Sequence, residues 1–144
     1  MKTQNPNFRE QVRWIFEAAP FVGGLGLELA DLGPGWCESV LPVAAKHLQQ
    51  DGYIHAGVQA TAADHTAGGA AGTLVKPDQT VLTVEFKINL LRPAQGDRLR
   101  CRATILRAGK TLIVSESEVF TGKDGDEKLA AKATVTLAVV KKRA

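Results

Sequence analysis

The sequence predicts an α+β domain in which one buried helix is wrapped by an antiparallel β-sheet. From Ala56 to Leu74, eleven of the nineteen residues are Ala or Gly and only Asp64 carries a formal charge. A helix that is apolar on all sides is buried rather than lying on a surface. Four strand-like segments then follow one another with short turns between them, which is typical of an antiparallel sheet.

An amphipathic helix is predicted near the N-terminus. Asn5 and Pro6 are typical of a helix start, and Pro20 is expected to stop the helix. Between them, apolar residues recur at helical spacing: Phe8, Val12, Ile15, Phe16 and Ala19.

Two short strands are predicted next, near 25–31 and 36–42, separated by a turn at Gly33-Pro34-Gly35. A polar connection, 43–54, leads to the Ala/Gly-rich helix. Because glycine lowers helix stability, the four glycines of this helix indicate close approach by neighbouring backbone.

The four later strands are predicted near 81–91, 98–107, 111–121 and 128–140, with turn signals between them. The first alternates between apolar and polar residues, as a half-buried strand does. Its apolar side is expected to consist of Leu82, Val84, Phe86, Ile88 and Leu90.

Length and composition predict one domain, 1–144, with an ordinary globular balance of 44% hydrophobic and 23% charged residues. The polar N-terminus lacks the apolar core of a secretory signal, and no apolar run is long enough to cross a bilayer. Cys37 and Cys101 have no metal-type spacing and are expected to be buried thiols in a reducing compartment. A cytoplasmic location with no membrane contact is therefore predicted.

The basic residues are concentrated in one part of the chain. Seven lie between Lys87 and Lys110, against a single acid. Three of them, Arg98, Arg100 and Arg102, alternate with apolar residues and share one face of a strand. That face is either the solvated outside of the sheet or a surface for a polyanionic ligand such as nucleotide phosphates. Because aromatic residues are not interleaved with the basic ones, a nucleic-acid partner is not expected.

Asp64 is the strongest candidate for a catalytic group. An acid in an apolar, buried helix loses hydration, which disfavours its charged form. Such a group is either a structural Asp bonded to a neighbour such as Thr61, or a general base or nucleophile in a dry cleft.

The start of the same helix, His55-Ala56-Gly57, is a candidate oxyanion site, because the first helical turn presents unpaired N–H groups. Eight residues separate Ala56 from Asp64, or about 12 Å along a helix. One extended substrate could reach both points most easily if they belonged to different subunits. His55 and His65 are not spaced as metal ligands, and no metal site is predicted.

The segment Gln49-Gln50-Asp51-Gly52-Tyr53-Ile54-His55-Ala56-Gly57, followed by Asp64, resembles the signature of the hotdog-fold acyl-CoA thioesterases of the phenylacetyl-CoA (PaaI-like) type. That signature is an Asn, two residues, Gly, two residues and His-Gly-Gly, then an acid eight residues after the first of these glycines. Here Gln49 replaces the Asn and Ala56 replaces that first Gly. The resemblance extends over nearly the whole chain.

The resemblance implies a role for each matching residue. Asp64 is expected to be the catalytic acid, the N–H of Ala56 the oxyanion donor and His55 its supporting residue. Thr83 is expected to help position the attacking water. Gln49 takes the place of the residue that fixes the water or the leaving group.

The resemblance also implies a substrate and an assembly. An acyl-CoA is the expected substrate, with a medium or aromatic acyl group, and no separate cofactor is needed. Its CoA part is expected to contact four residues: Gly57, Arg92, Arg107 and Lys110. A dimer or dimer of dimers with shared sites is expected. Two alternatives stay open: a hotdog hydratase or dehydratase that uses His55, and a non-catalytic acyl-CoA binding module.

Overall fold

The computed structural model describes all residues from 1 to 144. The chain forms three α-helices and six β-strands. The helices are α1 (Phe8–Glu17), α2 (Pro20–Leu25) and α3 (Ala56–Gly72). The strands are β1 (Glu28–Gly33), β2 (Trp36–Pro42), β3 (Gln79–Leu90), β4 (Arg98–Ala108), β5 (Leu112–Lys123) and β6 (Asp126–Lys141).

The six strands form one antiparallel sheet in the order β1-β2-β4-β5-β6-β3. Helix α3 packs along its inner face, mainly against the central strands β2, β4 and β5. A long helix enclosed by a curved antiparallel sheet is the hotdog fold, so the predicted fold class is confirmed. No helix in the chain is both long and apolar enough to span a membrane.

Small side chains let α3 lie close to the sheet. Five alanines of α3 have no solvent exposure: Ala62, Ala63, Ala67, Ala70 and Ala71. A Cβ atom added to Gly69 would lie 2.8 Å from the Sγ of Cys37, and one added to Gly72 would lie 3.0 Å from Ile15. The predicted approach of neighbouring backbone is therefore wrong, because buried side chains and not backbone atoms lie against these two glycines.

The expectation that Pro20 stops the first helix is wrong. Helix α1 ends at Glu17, and Pro20 opens the separate short helix α2. A proline fits the first position of a helix because its missing N–H would have had no intrahelical partner there. Gly26, with φ of 91°, ends α2, so β1 begins at Glu28 rather than near 25.

The predicted half-buried face of β3 is wrong for Leu82 and Val84, whereas Phe86, Ile88 and Leu90 share the inner face as predicted. A bulge between Thr83 and Glu85 reverses the alternation, because one extra residue moves later side chains to the other face. Thr83 pairs with the buried Leu137 and Phe86 with the buried Val135, so both face α3. Leu82 and Val84 face away from it. Because they lie on the outer face of the sheet, Leu82 and Val84 are about 60% exposed.

We expect Gly69→Ala to destabilise the fold by overpacking, because the new methyl group would press on the buried Cys37 and Phe16. Gly24→Ala, in α2, is the matched control, since a Cβ there meets nothing within 4 Å. Chemical denaturation should give a free energy of unfolding about 1–3 kcal/mol lower for Gly69→Ala than for Gly24→Ala. Equal values would show that contact with Cys37 does not limit how closely α3 packs.

Candidate active site

Asp64 is fixed by a hydrogen bond from β3. The hydroxyl of Thr83 donates to Oδ1 of Asp64 at 2.6 Å, while Oδ2 has no hydrogen bond within the chain. Asp64 is half-buried rather than enclosed, so the expected dry burial is not present in a single chain. The expected structural partner is also wrong, because the hydroxyl of Thr61 donates to the carbonyl of Gly57. One oxygen of Asp64 is therefore oriented and the other is free to react.

A cavity of about 450 Å³ opens beside Asp64, between α1, α3 and the end of the sheet formed by β3 and β6. Its walls are mostly apolar, and the carboxylate of Asp64 lies at its edge. The residues that shape it include Trp14, Ile15, Ala18, Gly68, Val81 and Leu137. The arrangement places a reactive oxygen next to an apolar space.

His65, the neighbour of Asp64, ties α3 to α1. Its Nε2–H donates to the carbonyl of Ile15 at 3.1 Å, and its ring meets Phe16 edge-on, with 4.6 Å between centroids. Burial lowers the pKa of His65 below 6.5, against the opposing effects of the Ile15 carbonyl and the Asp64 charge. His65 therefore holds one wall of the cavity in place as a neutral side chain.

The start of α3 presents one unoccupied N–H group. His55 is the N-cap, and its Nδ1 accepts a hydrogen bond from the N–H of Gly57 at 2.8 Å. Because Nδ1 is an acceptor, the neutral ring carries its proton on Nε2. The N–H of Ala56 has no acceptor within the chain, and the residue is exposed. Of the predicted site residues, His55 thus serves as a cap and Ala56 has the available donor.

Gln49 closes the loop that leads into α3. Its Oε1 accepts from the backbone N–H of Asp51 at 2.5 Å and from that of Tyr53 at 3.2 Å. This side chain stabilises the turn before Ile54, and Ile54 in turn donates its N–H to the carbonyl of Ala94. Gln49 therefore acts on the position of the helix start, and the structure gives it no contact with Asp64.

The predicted CoA contacts do not form one cluster within a chain. Arg92 lies with Lys123 and Lys128 at one end of the sheet, and Lys110 lies with Lys2 and Lys76 at the other. The ends are separated by the eleven residues of β4, or roughly 30 Å. Arg107 is exposed near the Lys110 end, and Gly57 lies at the helix start.

The alternating arginines of β4 lie on the outside of the sheet. Arg100 forms ion pairs with Glu38 at 2.8 Å and Glu127 at 2.7 Å, and Arg102 lies over the ring of Trp36. Their neighbours in sequence, Leu99 and Cys101, are fully buried on the opposite face. These contacts favour the solvated outer face over a polyanion-binding surface.

Comparisons with known proteins identify the family. The sequence profile of the thioesterase superfamily matches residues 51–128. The chain belongs to the thioesterase superfamily. It is a thioester hydrolase, and the matched region includes Asp64, Thr83 and the helix start. The profile describes the superfamily as a whole, so the phenylacetyl-CoA branch stays a prediction.

Three relatives illustrate how far the similarity extends. A thioesterase family protein from Silicibacter pomeroyi has 36% identity and a TM-score of 0.91, over 94% of this chain and 99% of that one. A thioesterase from Haemophilus influenzae has 26% identity and a TM-score of 0.81, over 92% and 90%. The 1,4-dihydroxy-2-naphthoyl-CoA hydrolase of Listeria monocytogenes is 32% identical over 83% of this chain and 94% of its own length.

In this thioesterase, sequence reasoning missed the residues that shape the cavity. Trp14 and Gly68 were not selected, although both line it. One signal was present for Trp14, which is a large aromatic residue outside the apolar stripe of α1. No group of three or more His, Cys, Asp or Glu side chains is arranged to hold a metal ion.

The lowered pKa of His65 predicts an acid-sensitive fold. The unfolded state takes up a proton on this residue near pH 6.5, before the folded state does, so stability falls as the pH drops below 6.5. The slope from this group is at most about 1.4 kcal/mol per pH unit. His65→Gln, which can still donate to Ile15, should flatten the dependence when unfolding is measured between pH 7.5 and 5. Identical slopes for the two proteins would contradict this role of His65.

Proposed function

We propose that this thioesterase hydrolyses an acyl-CoA to a free acid and CoA, with Asp64 as the catalytic carboxylate. The observation that carries the proposal is the hydrogen bond from Thr83 to Asp64 beside the apolar cavity. It fixes one carboxylate oxygen and leaves Oδ2 for chemistry. A CoA ester is supported by the relative that is named a 1,4-dihydroxy-2-naphthoyl-CoA hydrolase.

In the proposed reaction, the N–H of Ala56 polarises the thioester carbonyl. Asp64 takes a proton from water as the water oxygen attacks the carbonyl carbon, and the oxyanion is stabilised at the helix start. Collapse of the intermediate breaks the C–S bond, and the thiolate of CoA takes the proton. Alternatively, Oδ2 attacks the carbon directly, the C–S bond breaks to release the CoA thiolate, and water then hydrolyses the resulting mixed anhydride to the free acid and Asp64, the thiolate taking the proton that the water loses. Neither route uses a metal or redox cofactor.

The site is proposed to form between two subunits. Helix α3 runs opposite to β3, because its start lies beside Ala94, after β3, and its end leads into Gln79. The 12 Å from Ala56 to Asp64 equals the rise of three to four strand residues. If two β3 edges paired antiparallel about a twofold axis near Glu85, Ala56 of one subunit would be level with Asp64 of the other. The exposed apolar residues of this edge support such pairing.

The same pairing would bring the predicted CoA-binding residues close to one another across the subunit interface. Antiparallel β3 edges would bring the Arg92 end of one subunit beside the Lys110 end of its partner. Lys2 and Lys76, which share a cavity with Lys110, would add positive charge there. We therefore assign the CoA phosphates to Arg92 of the partner subunit together with Lys110, with Arg107 nearby. A dimer is the smallest assembly that satisfies this assignment, and a dimer of dimers contains two such pairs.

The geometry favours this reaction over the hydratase alternative, in which His55 would act beside a carboxylate. The Nδ1 of His55 accepts the N–H of Gly57 as part of the helix cap, so this ring nitrogen is not available as a base. Free thiol and enoyl absorbance, followed together over a set of acyl-CoAs, distinguish the two reactions. Because both cysteines are unpaired and buried, we place the reaction in the reducing cytoplasm.

Asp64→Asn should leave the fold unchanged and lower kcat on the best acyl-CoA by about 10²–10⁴-fold, the usual contribution of a positioned base. Asp124→Asn is the matched control, because it removes the same charge in an exposed turn where asparagine tolerates the positive φ of 53°. Thiol release measures both. If kcat falls by less than about tenfold in Asp64→Asn, Asp64 has a structural role and is not the catalytic carboxylate.

Ala56→Pro should remove the proposed oxyanion donor without disturbing the helix. Proline suits the first helical position, and His55 already has the extended conformation (φ −58°, ψ 140°) that precedes proline, so the strain otherwise expected there is absent. We expect kcat to fall about 10²–10³-fold. Ala56→Gly keeps the N–H and should retain activity. Normal turnover by the proline variant would place the oxyanion site elsewhere.

A further inference from the structure

Three glycines lie in the second half of α3, and packing explains only two of them. A Cβ would lie 2.8 Å from the Sγ of Cys37 at Gly69 and 3.0 Å from Cδ1 of Ile15 at Gly72, so a side chain at either position would crowd its neighbour. A Cβ added to Gly68 meets nothing within 4 Å. Because an interior glycine destabilises a helix relative to alanine, Gly68 lowers the stability of α3, and the packing of this chain does not require a glycine there.

The space beside Gly68 belongs to the cavity next to Asp64. Gly68 follows Asp64 by four residues, so the two share one face of α3, and both line the cavity. The missing side chain therefore widens the cavity one helical turn away from the reactive carboxylate. Of the two groups bonded to the carbonyl at Asp64, the acyl group is the apolar one, and it would extend into this mostly apolar space.

Trp14 lies on the other wall of the cavity, on α1. Its neighbours Val12 and Phe16 are buried in the core, whereas Trp14 is 63% exposed. A large apolar ring that its own chain leaves uncovered beside a cavity is available to stack on a ligand. Together with the ring of His65, it makes the cavity wall aromatic.

We propose that Gly68 and Trp14 set the width of the acyl group and select acyl chains that carry a ring over straight chains. This inference rests on the proposed function. A closed cavity of about 150 Å³ is enough to hold benzene, and the cavity beside Asp64 has about 450 Å³. Gly68 leaves the width that a ring needs, and Trp14 supplies the surface on which it stacks.

Variants of Gly68 test the width. Gly68→Leu should lower kcat/KM for phenylacetyl-CoA at least about tenfold, as expected when a pocket loses the volume of several methylenes. It should change kcat/KM for butyryl-CoA less than about threefold. Gly68→Ala should shift the ratio in the same direction by a smaller amount, with a melting temperature equal to or above that of the wild type. Gly24→Ala, a helical glycine outside the cavity, should leave the ratio unchanged.

Variants of Trp14 test the stacking surface. Trp14→Ala should lower kcat/KM for phenylacetyl-CoA about tenfold more than for hexanoyl-CoA, and Trp14→Phe should restore most of the preference. Phe21→Ala is the control, because Phe21 is 71% exposed on α2 but does not line the cavity.

The outcomes separate this inference from the proposed function. If the wild type hydrolyses no acyl-CoA, the proposed function fails. If the wild type is active but the ratios stay constant in Gly68→Ala and Trp14→Ala, only the inference is overturned. An equal loss on all substrates would also overturn the inference, because the two residues would then act on the position of Asp64 and not on the acyl group. Dissociation of subunits by Gly68→Leu, together with an unchanged ratio in Gly68→Ala, would overturn it in favour of a role in assembly.

Discussion

The close contact between α3 and the sheet determines the rest of the structure. The inner face of the helix carries alanine and glycine where it meets β2, β4 and β5, so the backbones approach more closely than larger side chains would allow. Few polar groups fit in such a contact. Ser39 pairs with Thr66 at 2.6 Å and Ser117 with the carbonyl of Ala63 at 2.7 Å, whereas Oε1 of the buried Gln59 has no partner within the chain. Polar groups able to react are consequently displaced to the outer side of α3, where Asp64 lies.

That displacement explains why a single chain has an incomplete site. On its outer side α3 meets α1, through His65, and the edge strand β3, which supplies the hydroxyl of Thr83. The available N–H of Ala56 lies at the end of the same helix, about 12 Å from Asp64. The edge strand that orients the carboxylate is also the surface through which a second subunit would bring its own helix start. The edge strand β3 thus takes part both in orienting the catalytic carboxylate and in the proposed contact between subunits.

Much of the fold follows from local sequence patterns. The bounds of β2 are those predicted. Helix α3 ends within two residues of the end of the Ala/Gly-rich run, because a helix buried on all sides has a distinctive composition of small apolar residues. The bulge near Val84 was not predictable, since it depends on pairing with a strand more than fifty residues later. The separation of Arg92 from Lys110, by contrast, follows from the predicted strand 98–107 that lies between them, because a strand of that length places its two ends roughly 30 Å apart.

The site was predictable in part. Asp64 is identified by its apolar surroundings, whereas Thr83 was reached only through the family resemblance, because nothing local links it to a residue nineteen positions earlier. Trp14 and Gly68 were missed because an exposed ring and a helical glycine are each ordinary in sequence. They become informative only when the packing around the other glycines of α3 is known.

The most direct test of the shared site is complementation between two inactive proteins. Asp64→Asn and Ala56→Pro would be co-expressed with different tags, and the heterodimer would be isolated through both. If each site takes Asp64 from one subunit and Ala56 from the other, one of the two sites in the heterodimer is intact, and its turnover should be about half that of the wild-type dimer. Activity no higher than that of the two parent variants would contradict a site built from two subunits.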